Sequence, residues 1–232
     1  MFEFPSKYAT ISKKMSLKGA IFDLDGVLVN TVPLHFKAWK KMFEEYGHKF
    51  EMQDYLKKVD GRPRQDGARA ILTEVSDADL ANAGDKKQKY FEQLLDEEPI
   101  TVFDSSIALV KKLKSEKVKV AVASSSRNTV HILERTGLKP LFDAIVTGND
   151  FKHGKPDPEI FLLAAAKLGL PPDDCVVFED AKAGVEAALR GGFFGVGIDR
   201  HNNPEDLNIA DILVKDLGEV TFDQIKKGME KK

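Results

Sequence analysis

The 232-residue chain has one cysteine, no long apolar run and no excess of charge of either sign. A lone cysteine, Cys175, excludes an internal disulfide framework and fits a reducing compartment. Its neighbours Val176, Val177 and Phe178 mark it as a buried structural thiol. No stretch approaches the roughly 20 apolar residues of a membrane span, and residues 1–17 lack the apolar centre of a signal peptide. Lys and Arg number 35 against 37 Asp and Glu, a formal net charge of -2. That balance excludes the broad positive field of a nucleic-acid or anionic-membrane binder. A cytoplasmic monomer is expected, whose partner is a small molecule, with no nucleic acid and no membrane.

What is present is core-forming material, 42% hydrophobic residues, enough for one large domain or two modest ones. Short apolar, β-rich runs at Gly19–Phe22, Val118–Ala123, Phe142–Thr147, Cys175–Glu179, Phe194–Ile198 and Ile212–Val214 read as strands. They alternate with helical patterns at 104–116, 127–137, 157–169 and 181–190. Such alternation predicts an α/β fold, a doubly wound (Rossmann-like) parallel sheet with ligands at the carboxyl ends of its strands. Residues 33–98 break it: they hold no convincing strand and several charged helical stretches, at 35–46, 69–73 and 84–95. The expected organisation is an N-terminal extension at 1–14, a core domain from 15–30 and 100–232, and an inserted small all-helical cap at 31–99. Residues 226–232 read as a solvated helix end.

Chemistry concentrates where the strands end. The first runs into Asp23-Leu24-Asp25-Gly26, and the strand period of two points both carboxylates the same way. Two carboxylates held about 5 Å apart repel by roughly 3 kcal/mol at an effective dielectric of about 20. Such a pair fits a divalent cation, a shared proton, or a nucleophile beside an acid/base. The second strand ends in Ser124-Ser125-Ser126-Arg127-Asn128, hydroxyls and backbone N–H groups suited to a phosphate. Gly154-Lys155-Pro156 is no Walker A loop, lacking Ser or Thr after the lysine, but Pro156 is a stiff way to hold Lys155 inward. The fourth strand ends in Glu179-Asp180. Two acid pairs, a hydroxyl and a lysine at one end of one sheet make a hard oxygen site for Mg²⁺ beside a phosphate cradle. That is the equipment of phosphoryl transfer. A glycosyltransferase built on Asp23-x-Asp25 is the distant alternative, but it explains neither Ser124 nor Lys155.

The four motifs FDLDGV, ASSS, GKPDP and FEDAKAG, in that order, resemble those of the haloacid dehalogenase superfamily, in the β-phosphoglucomutase-like subgroup with a helical cap. The resemblance implies Asp23 as nucleophile, forming an aspartyl-phosphate, and Asp25 as acid then base. It implies Mg²⁺ on Asp23, the backbone carbonyl of Asp25, and Asp180, with Glu179 direct or through water. Ser124, Ser125 and Lys155 would hold the phosphoryl oxygens. An acid at Asp25 favours phosphoryl transfer over dehalogenation, and the surroundings of Lys57 and Lys58 do not match phosphonate hydrolases.

Cap residues carry the substrate expectation. Thr31, His35 and Trp39 resemble the cap entry of β-phosphoglucomutases, and 60–67, with Arg62 and Arg64, resembles their cap loop. Arg64 would grip a distal phosphate with a guanidinium fork. The cap lysine of a mutase is not evident near Lys89-Tyr90, and no Pro-Gly precedes the helix after Val102. The expected activity is therefore a Mg²⁺-dependent phosphatase of small phosphorylated sugars. A β-phosphoglucomutase interconverting β-glucose 1-phosphate and glucose 6-phosphate is the alternative.

Overall fold

The computed structural model describes residues 16–59, 64–200 and 202–232. The predicted extension at 1–14 and the loop position Arg62 lie outside them. Six strands form one parallel sheet: β1 (Gly19–Phe22), β4 (Lys119–Ala123), β5 (Ala144–Val146), β6 (Cys175–Glu179), β7 (Phe194–Ile198) and β8 (Ile212–Val214). Their order is β5-β4-β1-β6-β7-β8, so β1 lies between β4 and β6. Strands β1, β6 and β7 are buried throughout, with successive residues on opposite faces, as parallel sheets covered by helices require. Ala20, Phe22, Val120, Val122, Val176 and Phe178 face one apolar layer, while Ile21, Ala121, Cys175 and Val177 face the other. Cys175 is buried, as expected.

Between β1 and β4 the chain leaves the sheet. The two strands that begin and end this excursion, β2 (Val29–Asn30) and β3 (Thr101–Val102), pair antiparallel as a short ribbon. Sequence patterning gave neither, because two residues carry no period. Between them lie α1 (Val32–Glu45), α2 (Met52–Asp54), a π-helical turn at Tyr55–Val59, α3 (Arg64–Arg69) and α4 (Asp77–Glu97). Ser76 caps α4 by accepting the Asp79 N–H at 3.2 Å. These helices enclose their own apolar cluster of Trp39, Met42, Phe43, Phe50, Tyr55, Leu72 and Leu80. Helix α3 lies earlier than the predicted 69–73. Gly67 is what lets it pack, since a Cβ there would come within 3.1 Å of the Trp39 ring.

After β3 come α5 (Asp104–Ser115), α6 (Thr129–Arg135), α7 (Glu159–Leu168), α8 (Lys182–Arg190) and α9 (Phe222–Lys231). Helices α5, α6 and α9 cover one sheet face, and α7 and α8 the other. The end of α9 is mostly exposed, as expected for 226–232, but Met229 is buried and Lys232 pairs with Asp211 at 2.7 Å. Among the described residues, no helix is long and apolar enough to cross a membrane.

Candidate active site

The chain crosses from β5 to β6 past β4 and β1, so the carboxyl ends of β4, β1 and β6 meet where strand order reverses, the ordinary place for a ligand in such sheets. Asp23 extends β1 by one residue, its N–H donating to the Phe178 carbonyl at 3.0 Å. Its carboxylate is 2.5 Å from the Lys155 ammonium, which also bonds Glu179. All three side chains are largely buried. Lys155 reaches them from the loop after β5, with its Nζ 5.1 Å from the Phe161 ring centroid.

One lysine does not neutralise this neighbourhood. Burial, opposed by Lys155 and reinforced by Glu179 and Asp25, pushes the Asp23 carboxyl up to about 7. Burial and the charges of Glu179 and Asp23 hold Asp180 well above the usual carboxylate range. Asp25 is raised too, chiefly by burial, against a hydrogen bond from the Thr31 hydroxyl. Burial works against the Lys155 ammonium, but Asp23 and Glu179 outweigh it and raise its pKa. The set is all oxygen, acidic and short of positive charge, the donor chemistry that suits a hard divalent cation.

Two glycines make this crowding possible. Gly26 has φ +78°, and a Cβ there would lie 1.7 Å from Asp180 Oδ2. At Gly184 a Cβ would lie 1.9 Å from Glu179 Oε1. Both carboxylates therefore rest directly against backbone.

Ser124 is buried at the end of β4, its hydroxyl accepting the Ser126 N–H at 3.0 Å. Ser125 is exposed, with its carbonyl against Gly148, where a Cβ would meet it at 2.2 Å. The helix begins later than predicted, at Thr129, which leaves Ser124 to Asn128 as a run of turns.

In the cap, His35 stacks on Phe91 at 3.9 Å between centroids and Trp39 stacks on Phe43 at 5.3 Å. Trp39 is thus mainly a core residue of the cap. Arg64 is loosely held, 3.5 Å from both Asp85 and the Gly84 carbonyl. The residue that sequence reasoning missed is Lys87. It is buried on α4, with Nζ 2.8 Å from His35 Nδ1 and 5.4 Å from the Trp39 ring. Its charge acts on Asp25 across the gap between cap and sheet. The signal was there: Leu80, Ala83, Gly84, Lys87, Phe91 and Leu95 form one buried stripe, and a lysine in such a stripe is out of place.

The parallel sheet, the helical cap and the Asp23–Lys155–Glu179 centre belong to a chain whose relatives are phosphatases and phosphomutases, and it is an enzyme of that class. The family model of haloacid dehalogenase-like hydrolases matches residues 17–192, and the chain belongs to that family. It is 34% identical over 221 residues to a β-phosphoglucomutase of Bacillus subtilis, covering 92% of this chain and 96% of that protein. It is 37% identical over 185 residues to a fructose-1-phosphate phosphatase of Escherichia coli, covering 78% and 95%. The crystal structure of a β-phosphoglucomutase from Clostridium difficile superposes with TM-score 0.80 at 28% identity, over 93% of this chain and 98% of that one.

Proposed function

We propose that this enzyme moves the phosphoryl group of small phosphorylated sugars through Asp23, with Mg²⁺ as its metal. In this reading residues 31–99 are a cap domain closing over a core of 15–30 and 100–232. The observation that carries it is Lys155 lodged between Asp23 and Glu179, with Asp180 against Gly26 beside them. The sugar substrate is supported by the names of relatives: β-phosphoglucomutase, fructose-1-phosphate phosphatase and hexitol phosphatase A.

An Asp23 carboxylate oxygen attacks phosphorus while the bond from phosphorus to the sugar oxygen breaks. Asp25, whose pKa burial raises, gives its proton to that leaving oxygen. Thr31 orients Asp25, and Ser124, Ser125 and Lys155 hold the phosphoryl oxygens. An acceptor hydroxyl then attacks phosphorus, Asp25 takes its proton, and the bond to Asp23 breaks. Mg²⁺, when bound on Asp23, Asp180, Glu179 and the Asp25 carbonyl, would offset the acidic crowding and the charge of the transferring group.

The acceptor separates two outcomes. With water the enzyme is a phosphatase, the reading the sequence favours. With a sugar hydroxyl it is a β-phosphoglucomutase, and one observation supports that outcome as strongly. Lys87 stands by His35 and close enough to Arg64 to feel its charge, which supplies the cap cations a second phosphate needs. The deciding experiment gives β-glucose 1-phosphate, Mg²⁺ and a trace of glucose bisphosphate, and follows inorganic phosphate and glucose 6-phosphate together. Phosphate alone makes it a phosphatase, and glucose 6-phosphate a mutase. Asp23→Asn is expected to lose at least about 10³-fold of either activity while remaining folded. A fully active Asp23→Asn protein, with deamidation excluded, would refute the assignment.

A further inference from the structure

Arg200 lies two residues past β7, on the rim of the site, and its side chain turns back toward the turn after Asp25. Its Nε donates to the Gly26 carbonyl at 2.9 Å. Nη1 donates to Asp216 at 3.0 Å and to the Lys215 carbonyl at 3.4 Å, both just beyond β8. The guanidinium carbon sits 4.0 Å from the centroid of Phe103, the residue that follows β3 as the chain returns from the cap. Phe103 in turn donates its N–H to the Leu28 carbonyl at 3.0 Å, and Asp216 also accepts from Ser105 at 2.9 Å. One planar cation thus joins the Asp25–Gly26 turn, the return from the cap and the rim of β8. A planar guanidinium serves these directions with separate, fixed donors and its face, which a point-charge ammonium does not reproduce.

Gly26 is gripped from both sides. Its α-carbon faces Asp180 so closely that a Cβ would lie 1.7 Å from the carboxylate, and its carbonyl faces Arg200. Asp25 is one peptide away. Arg200 Nη2 is buried with no partner among the described residues.

We propose that Arg200 is a positioning residue that fixes the Asp25–Gly26 turn against the core rim and the cap return, so that Asp25 meets the leaving oxygen of the sugar. The assignment rests on the acid role given to Asp25 under the proposed function.

The test compares phospho-Asp23 formation from two donors in single-turnover experiments with Mg²⁺. One is a sugar phosphate, whose leaving oxygen needs a proton. The other is p-nitrophenyl phosphate, whose nitrophenolate leaves without one. Arg200→Met is expected to slow the sugar phosphate by roughly tenfold or more, within the range general-acid catalysis supplies. With p-nitrophenyl phosphate the rate changes less than about threefold, because that step draws little on the acid. Arg200→Lys, which can reach Gly26 or Asp216 but not both, recovers part of the loss and carries the same comparison if the Met variant does not fold. Equal slowing with both donors makes Arg200 a structural brace and overturns the proposal, as does no slowing at all. Wild-type enzyme that forms no phospho-Asp23 from either donor overturns the proposed function itself, a result read before any variant is made.

Discussion

Lys87 Nζ lies 2.8 Å from His35 Nδ1, joining two helices of the cap where their buried faces meet. Two basic groups so close and so buried do not both carry a proton. Burial and the neighbouring lysine hold His35 well below the usual histidine pKa. Burial, then the positive charge of Arg64, brings Lys87 down to about 7, with Asp25 opposing them.

A pH dependence follows. Lys87 is an ammonium below about 7 and an amine above it, so it attracts an anionic sugar phosphate less as pH rises through that value. KM for the sugar phosphate is expected to rise over that interval relative to Lys87→Arg, whose charge is permanent. The substrate's own second ionisation, near pH 6, acts equally on both enzymes and cancels in the ratio. Stability moves the other way. The unfolded chain keeps the Lys87 proton to about 10.5 and the folded chain only to about 7. The wild type therefore gains stability relative to Lys87→Met between those values, which urea unfolding at pH 7 and pH 9.5 measures.

Lys87 also marks where sequence reading stops. The strands of the sheet were legible because each is a short, nearly continuous apolar run, the pattern of a strand buried on both faces. Asp23, Ser124, Glu179 and Asp180 were legible because each ends or follows such a run, and Lys155 because Gly154 and Pro156 flank it. Lys87 follows none: its one sequence signal is its place in the apolar stripe of α4, while its partner His35 comes from α1. Arg200 is the same case, since nothing local links it to Gly26, 174 residues away. Ribbon strands β2 and β3 were hidden by their length, and α3 by the dependence of Gly67 on the Trp39 ring.

The proposed Mg²⁺ site predicts a metal-dependent stability. Mg²⁺ at about 100 times its dissociation constant stabilises the folded state by about 2.7 kcal/mol. In a chain of this size that raises Tm by roughly 5–10 °C. Asp180→Asn is expected to abolish most of that rise. It leaves the metal-free Tm unchanged or higher, because a buried acid crowded by Glu179 and Asp23 is gone. Thermal scans of both proteins with and without Mg²⁺ make the comparison, and an undiminished rise in Asp180→Asn would remove Asp180 from the metal site.

Gly26 and Gly184 test whether the carboxylates need the backbone they rest on. In Gly184→Ala two effects oppose. The position lies inside α8, where alanine is favoured over glycine by about 1 kcal/mol. The new Cβ, however, falls 1.9 Å from Glu179 Oε1, the atom bonded to Lys155. Glu179 must swing away and Lys155 loses one of its two anchors, so turnover is expected to fall at least about tenfold while stability stays within about 1 kcal/mol. Gly26→Ala has no such compensation. Its φ of +78° strains any L-residue and its Cβ lands on Asp180, so stability falls by about 1–3 kcal/mol along with activity. Urea unfolding beside turnover separates the two variants. If Gly184→Ala keeps wild-type turnover, the contact between Glu179 and Lys155 is not needed for chemistry.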